Sequence, residues 1–277
     1  MTPLVSTAWL AAELGAPDLL LFDASFYLPG EGDARAGFAA AHLPGARFFD
    51  IEEVADPDTD LPHMVPAAGR FGRLMQAYGI SNTSRIVFYD QRPNFRAARA
   101  LWLMGLFGHD QAAVLDGGLT KWRAEERPVA QGEAEAPAAG RFVPHLRAAR
   151  LRGLGDMIRN LDTKAELVLD ARPAGRFAGT APEPRPGLPS GHMPGAVSVP
   201  ASDMIGPDGV FLAPAALRAR FAAAGVDGGR PVVTSCGTGV TASIVTLGLR
   251  LAGLPEGALY DGSWTEWASQ PDTPKHT

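Results

Sequence analysis

Residues 232–248 read VVTSCGTGVTASIVTLG and contain Cys236, the only cysteine of the chain. Four small or β-branched residues lead into it, Gly237 and Gly239 follow, and a helix-like apolar run comes next. A thiol at a helix N-terminus meets partial positive charge and inward-turned N–H groups. Such settings lower a cysteine pKa from about 8.5 to roughly 3.5–7.5. The two glycines let the backbone curl without Cβ clashes, so several N–H groups can converge on one anion. That geometry suits a thiolate, and also the terminal sulfur of a persulfide. An inert cysteine packed as a small hydrophobe is the plainer alternative. The strand before it, the glycines and the helix after it favour a reactive thiol.

Three chemistries can use such a loop. A cysteine phosphatase needs an arginine closing a C-x5-R loop, but the sixth residue after Cys236 is Ala242 and the next cation is Arg250. A phosphoryl dianion then lacks its bidentate partner. Dinucleotide binding is suggested by Gly237, Gly239 and Ala242 as G-x-G-x-x-A, with Asp261 further on. Too few residues follow Gly239 for a complete unit, and Asp261 has a counterpart, Asp116, in a half of the chain that lacks the glycine loop. Sulfur transfer is the third. It requires one cysteine, no metal and no organic cofactor, and the sequence meets those conditions.

The elements that must carry this loop are readable from pattern. ELVLDA and RPVVTS are short, β-branched and turn-bounded, which predicts buried strands. PAALRARFAAAG and TASIVTLGLRLAG predict helices, each stopped by glycine. The first half gives DLLLFDAS, RIVFYD and AAVLDGG as strands, with GRFGRLMQAYG and FRAARALWLMGLFG as helices. Strands alternating with helices favour a parallel sheet covered on both faces, and ligands then sit beyond the carboxyl ends of the strands.

The two halves echo each other. LFDAS precedes AHLPGA and LDGGLTKW in the first, and VLDAR precedes GHMPGA and YDGSWTEW in the second, about 150 residues on. Such a spacing means a duplicated domain rather than a solenoid repeat, whose period runs to about 50 residues. A Pro-, Ala- and Gly-rich stretch then divides the chain into domains 1–128 and 141–277 with a linker at 129–140. Aligning IVFYD with VVTSC sets Asp90 opposite Cys236, which leaves the first half without a nucleophile; Asp90 reads either as a group that touches the cleft or as a solvated loop carboxylate. His42 and His192, repeated in H-x-P-G-A, read as fold elements.

Among 277 residues, 25 are Lys or Arg and 30 are Asp or Glu, a net charge of -5 without a cationic cluster. Nucleic acid is therefore not an expected partner. No apolar run approaches the roughly 20 residues that cross a bilayer. No basic residue precedes Arg35, which sets the expected location in the cytoplasm.

CGTGVTA resembles the active-site loop of two-domain rhodanese-type sulfurtransferases, in the CG[ST]GVT form of 3-mercaptopyruvate sulfurtransferases rather than the CRKGVT form of thiosulfate-using rhodaneses. HLPGA, HMPGA, DARPAGRFAGTAPEPRPGLPSGHMPGA and both DG…W segments follow the family pattern in order. The resemblance implies an α/β fold of two tandem rhodanese-like domains, each a mainly parallel sheet flanked by helices, with only the second catalytic. It implies Cys236 as nucleophile, a loop of Gly237, Thr238, Gly239, Val240 and Thr241, and substrate-binding Arg176 and Arg185. A proton relay would use Thr238 with His63 and Glu52, where the family has Ser, His and Asp. On the residues alone, the two arginines read as surface groups and His63 as an exposed loop histidine. The implied donor is 3-mercaptopyruvate, with thiosulfate as the alternative, and the acceptor is a thiol such as thioredoxin, or cyanide. No cofactor, metal or oligomer is required. A non-catalytic rhodanese-fold docking module is the rival class.

Overall fold

A computed structural model of the chain describes every residue except Pro29 and Glu135. Strands β1 (Leu4–Val5), β2 (Leu19–Asp23), β3 (Arg47–Phe48), β4 (Arg85–Tyr89) and β5 (Ala112–Leu115) form one parallel sheet in the order β1-β5-β4-β2-β3. Strands β6 (Leu151–Arg152), β7 (Leu167–Asp170), β8 (Val197–Ser198), β9 (Val232–Ser235) and β10 (Ala258–Tyr260) form a second with the same topology, β6-β10-β9-β7-β8. Every residue of β5, β7, β9 and β10 is buried. That is the expected state of parallel strands covered by helices, and it explains their unbroken apolar runs.

Two compact units result. One comprises Met1–Asp56, Val65–Arg147 and Pro207–Phe211; the other comprises Pro57–Met64, Ala148–Gly206 and Leu212–Thr277. These units correct the sequence division: residues 57–64 fall in the second unit and 207–211 in the first, and the boundary near 140 also moves. Residues 141–147 belong to the first unit, and the stretch 129–140 is tied to that unit rather than hanging free. Ala130 exchanges two backbone hydrogen bonds with His42, Gly132 N–H donates to Ala39, and Gly140 N–H donates to Gln76. Glu135 of this stretch lies outside the described residues. Phe142 is buried edge-on against Phe71, which anchors the continuation.

Duplication extends to side-chain detail. His42 stacks on Phe38 and bonds its carbonyl through Nδ1 at 2.9 Å; His192 stacks on Phe177 and does the same at 2.9 Å. Trp122 Nε1 donates to Pro128 O, and Trp267 Nε1 donates to Pro274 O. These histidines close turns, as their repetition predicts. The apolar cores are equivalent too. Leu21, Val87, Tyr89, Leu115 and Trp122 pack in the first unit; Val168, Val233, Tyr260, Trp264 and Trp267 pack in the second. Each fully buried large apolar side chain contributes about 1.5–3 kcal/mol over its exposed state, so these clusters fix the strand ends that carry the loops.

Candidate active site

Cys236 follows the last residue of β9, and the helix Ala242–Leu251 begins six residues later. Ala252 caps the helix C-terminus, and Gly253 follows at φ +72°. Gly239 takes φ +78°, which an L side chain resists. Gly237 is absent from the left-handed region, so its role differs from the one the sequence suggested. A Cβ there would lie 3.1 Å from Arg176 Nη2. Gly237 makes room for a guanidinium rather than for a turn.

Backbone partners hold the cysteine from the far side. Its N–H donates to Ser263 Oγ at 3.1 Å, and Ser263 Oγ–H donates to Tyr260 O at 2.8 Å. Its carbonyl accepts from Trp264 N–H at 2.9 Å, while Gly237 O accepts from Thr265 N–H at 3.0 Å and Oγ1–H at 2.7 Å. Ser263 sits at φ +50°, a conformation uncommon outside glycine. Among the described residues, none of the N–H groups of Gly237, Thr238, Gly239, Val240 and Thr241 donates to a protein acceptor. Thr238, Gly239 and Val240 are buried. Buried donors are normally satisfied, and successive N–H groups at a helix start make an anion site. Cys236 itself is only 1% exposed. Burial alone would fit an inert thiol; the acceptorless N–H groups beside it do not.

His63 lies in Pro57–Met64, the early segment that belongs to the second unit. It is buried, at φ +60°, and its Nδ1 is 2.8 Å from Thr238 Oγ1. The exposed histidine read from the residues alone is thereby corrected: a threonine 175 positions later encloses and bonds it. Glu52 belongs to the first unit, in the helix Ile51–Val54 that Asp50 caps, where it lines a cavity of about 520 Å³ with Asp33, Arg35 and Asp50.

Arg176 lies in the short helix Ala174–Phe177, its side chain 19% exposed. Nε donates to Glu183 Oε2 at 3.2 Å, and Nη2 pairs with the same oxygen. Glu183 Oε1 accepts from Arg172 Nη1 at 2.8 Å. Arg172 is a buried arginine, bidentate to Asp170 at 3.0 and 2.6 Å, bonded to Gly191 O at 2.6 Å and 4.4 Å from the Trp264 ring centroid. Burial opposes its charge, but Asp170 and Glu183 outweigh that and hold its pKa above the ordinary arginine value. Arg185 is half-buried in the bend two residues past Glu183. Glu183, Arg172 and Ser263 were missed as site residues. The signals were the acid inside EPR, the arginine of DAR and the single difference between DGG and DGS.

The first unit fills the same positions differently. Asp90 follows β4 as Cys236 follows β9, and Leu119 N–H donates to Asp90 O at 2.8 Å. Asp90 is buried, which removes the solvated reading, and both of its oxygens accept from Ala97 N–H at 3.1 Å.

A model of the rhodanese-like domain matches residues 6–125 and 154–270. Thiosulfate/3-mercaptopyruvate sulfurtransferase 1, mitochondrial, of Arabidopsis thaliana is 40% identical over 297 residues, covering 98% of this chain and 77% of its own. The 3-mercaptopyruvate sulfurtransferase of Homo sapiens is 40% identical over 271 residues, 95% of this chain and 91% of its own. The crystal structure of SseA from Escherichia coli, described with the rhodanese fold and mechanism of 3-mercaptopyruvate sulfotransferases, aligns at TM-score 0.86 and 32% identity over 95% of this chain and 99% of that one. The chain belongs to the rhodanese-like family, and its activity is sulfur transfer.

Proposed function

We propose that this enzyme takes sulfur from 3-mercaptopyruvate onto Cys236 and passes it to a thiol such as thioredoxin. The observation that carries the reading is the buried thiol beside five N–H groups that have no acceptor among the described residues. Cys236 Sγ, as thiolate, attacks the substrate sulfur. The substrate C–S bond breaks with its electron pair moving to carbon, giving the enolate of pyruvate, which takes a proton to become pyruvate. The outer sulfur of the persulfide then rests among the loop N–H groups. An acceptor thiolate attacks that sulfur and regenerates the Cys236 thiolate.

Arg176 and Arg185 hold the carboxylate and keto oxygen of the donor in this proposal, because a planar guanidinium pairs with a carboxylate in two parallel bonds. Thr238 and His63 handle the proton, supported by their 2.8 Å contact. The loop supplies no cationic side chain of its own. That favours 3-mercaptopyruvate, which binds as a monoanion, over thiosulfate, which binds as a dianion. The test is turnover with each donor, using cyanide as acceptor. Higher kcat/KM with mercaptopyruvate is expected; higher kcat/KM with thiosulfate reassigns the donor, and neither activity removes the proposal.

A further inference from the structure

We infer that Glu183 and Arg172 are positioning residues that set Arg176, and the substrate it holds, at a fixed place relative to Cys236. The inference rests on the proposed substrate reading. It follows from a closed circuit of contacts within the second unit. Starting at the nucleophile, the Cys236 carbonyl takes the Trp264 N–H at 2.9 Å. The Trp264 ring, fully buried, carries the Arg172 guanidinium 4.4 Å from its centroid. Arg172 donates to one oxygen of Glu183, and Arg176 donates to the other. Arg176 Nη2 returns to the loop, 3.1 Å from where a Gly237 Cβ would stand. Every step joins a group whose own freedom is removed by burial or by a second partner.

The charge balance gives this circuit a kinetic signature. Arg172 and Arg176 are matched by Asp170 and Glu183, and the side chains of Arg172, Asp170 and Glu183 are at most 2% exposed. In so dry a place an unmatched charge is costly, so the carboxylate offsets Arg176 instead of leaving it as a general anion trap. Arg176 works by direction: with Nε and Nη2 engaged on Glu183, Nη1 is left to meet substrate oxygen. Removing the Glu183 charge while keeping its shape therefore exposes positive charge and frees the guanidinium to turn. Anions bind more tightly, and the reacting geometry is held less often.

The test is Glu183→Gln beside Glu183→Asp in the full chain. Each is assayed with mercaptopyruvate and titrated with pyruvate by calorimetry, after confirming a single cooperative unfolding transition. Glu183→Gln is expected to lower kcat ~10- to 100-fold while tightening pyruvate binding at least ~3-fold. Glu183→Asp keeps the charge and shortens the reach, so kcat falls and pyruvate binding stays within about 2-fold. Unchanged kcat in either variant overturns the proposal, as does equal weakening of kcat and pyruvate binding. If Glu183→Gln does not fold, the Asp variant alone decides. Wild-type enzyme inert toward mercaptopyruvate sinks the substrate reading instead, a result distinguishable from both.

Discussion

Two loops stand at the ends of equivalent strands, and they spend their backbone donors in opposite ways. After β4, Gln91 N–H goes to Ser25, and Ala97 N–H goes to the Asp90 carboxylate. The first unit thus supplies its own acceptor. After β9, five consecutive N–H groups have no protein acceptor among the described residues, and a thiol stands where the carboxylate would be. The neighbouring position tells the same story. Gln91 reaches from its loop to Asp23 Oδ2 and Ala34 O, and it takes a bond from Tyr27. Its counterpart Gly237 reaches nothing, and Arg176 occupies that direction. One fold therefore becomes either a self-satisfied scaffold or a receptive site, according to whether side chains or a ligand complete the loop.

Writing the first unit's residue into the second should break the difference most severely. Gly237→Gln drives a side chain into the Arg176 guanidinium, which Glu183 holds in place. We expect mercaptopyruvate kcat/KM to fall on the order of 100-fold with the unfolding midpoint nearly unchanged; retained activity would mean that the Arg176 position is incidental. A smaller effect is expected at the proton path. Thr238→Val and His63→Ala should each reduce kcat ~10- to 100-fold, and the double variant should be little worse than the worse single one, because the pair acts as a unit. Fully additive losses would separate the two residues.

The smallest effect concerns stability of the inert loop. Burial, first of all, and the nearby Asp23 raise the Asp90 carboxyl well above the usual carboxylate range, against the Ala97 and Arg96 contributions. A raised folded-state pKa means stability present below the unfolded value of about 3.9 and lost as pH rises through the folded value. Asp90→Asn keeps an acceptor oxygen without that titration. It should raise the melting midpoint at pH 8 by a few degrees, on the order of 1 kcal/mol, with the gain vanishing toward pH 4. A pH-independent difference would assign the effect to packing.

Local pattern made much of this legible. Strands β1, β3, β6 and β8, two residues each, and the three-residue β10 are too short to show a pattern. Strand runs located β2, β4, β5, β7 and β9, because parallel buried strands carry their signal in adjacent residues. Cys236 and its loop were visible for the same reason. Glu183 and Arg172 were not, since 11 residues and an irregular segment separate them and no periodicity links them. His63 meets Thr238 across 175 residues, a pairing that spacing alone cannot express. Gly237 was credited with a turn because composition shows that a side chain is missing, not what stands in its place. Likewise, the stretch 129–140 advertised irregular backbone through Pro, Ala and Gly, while its hydrogen bonds to His42 and Gln76 depend on the folded first unit.

The most direct measurement is the intact mass of the protein after mercaptopyruvate treatment without acceptor, in wild type, Cys236→Ser and Asp90→Cys. One added sulfur is expected in wild type, none in Cys236→Ser, and still only one in Asp90→Cys, because Gln91 and its partners fill the first unit's loop. An unchanged gain in Cys236→Ser, or no gain in wild type, contradicts a Cys236 persulfide.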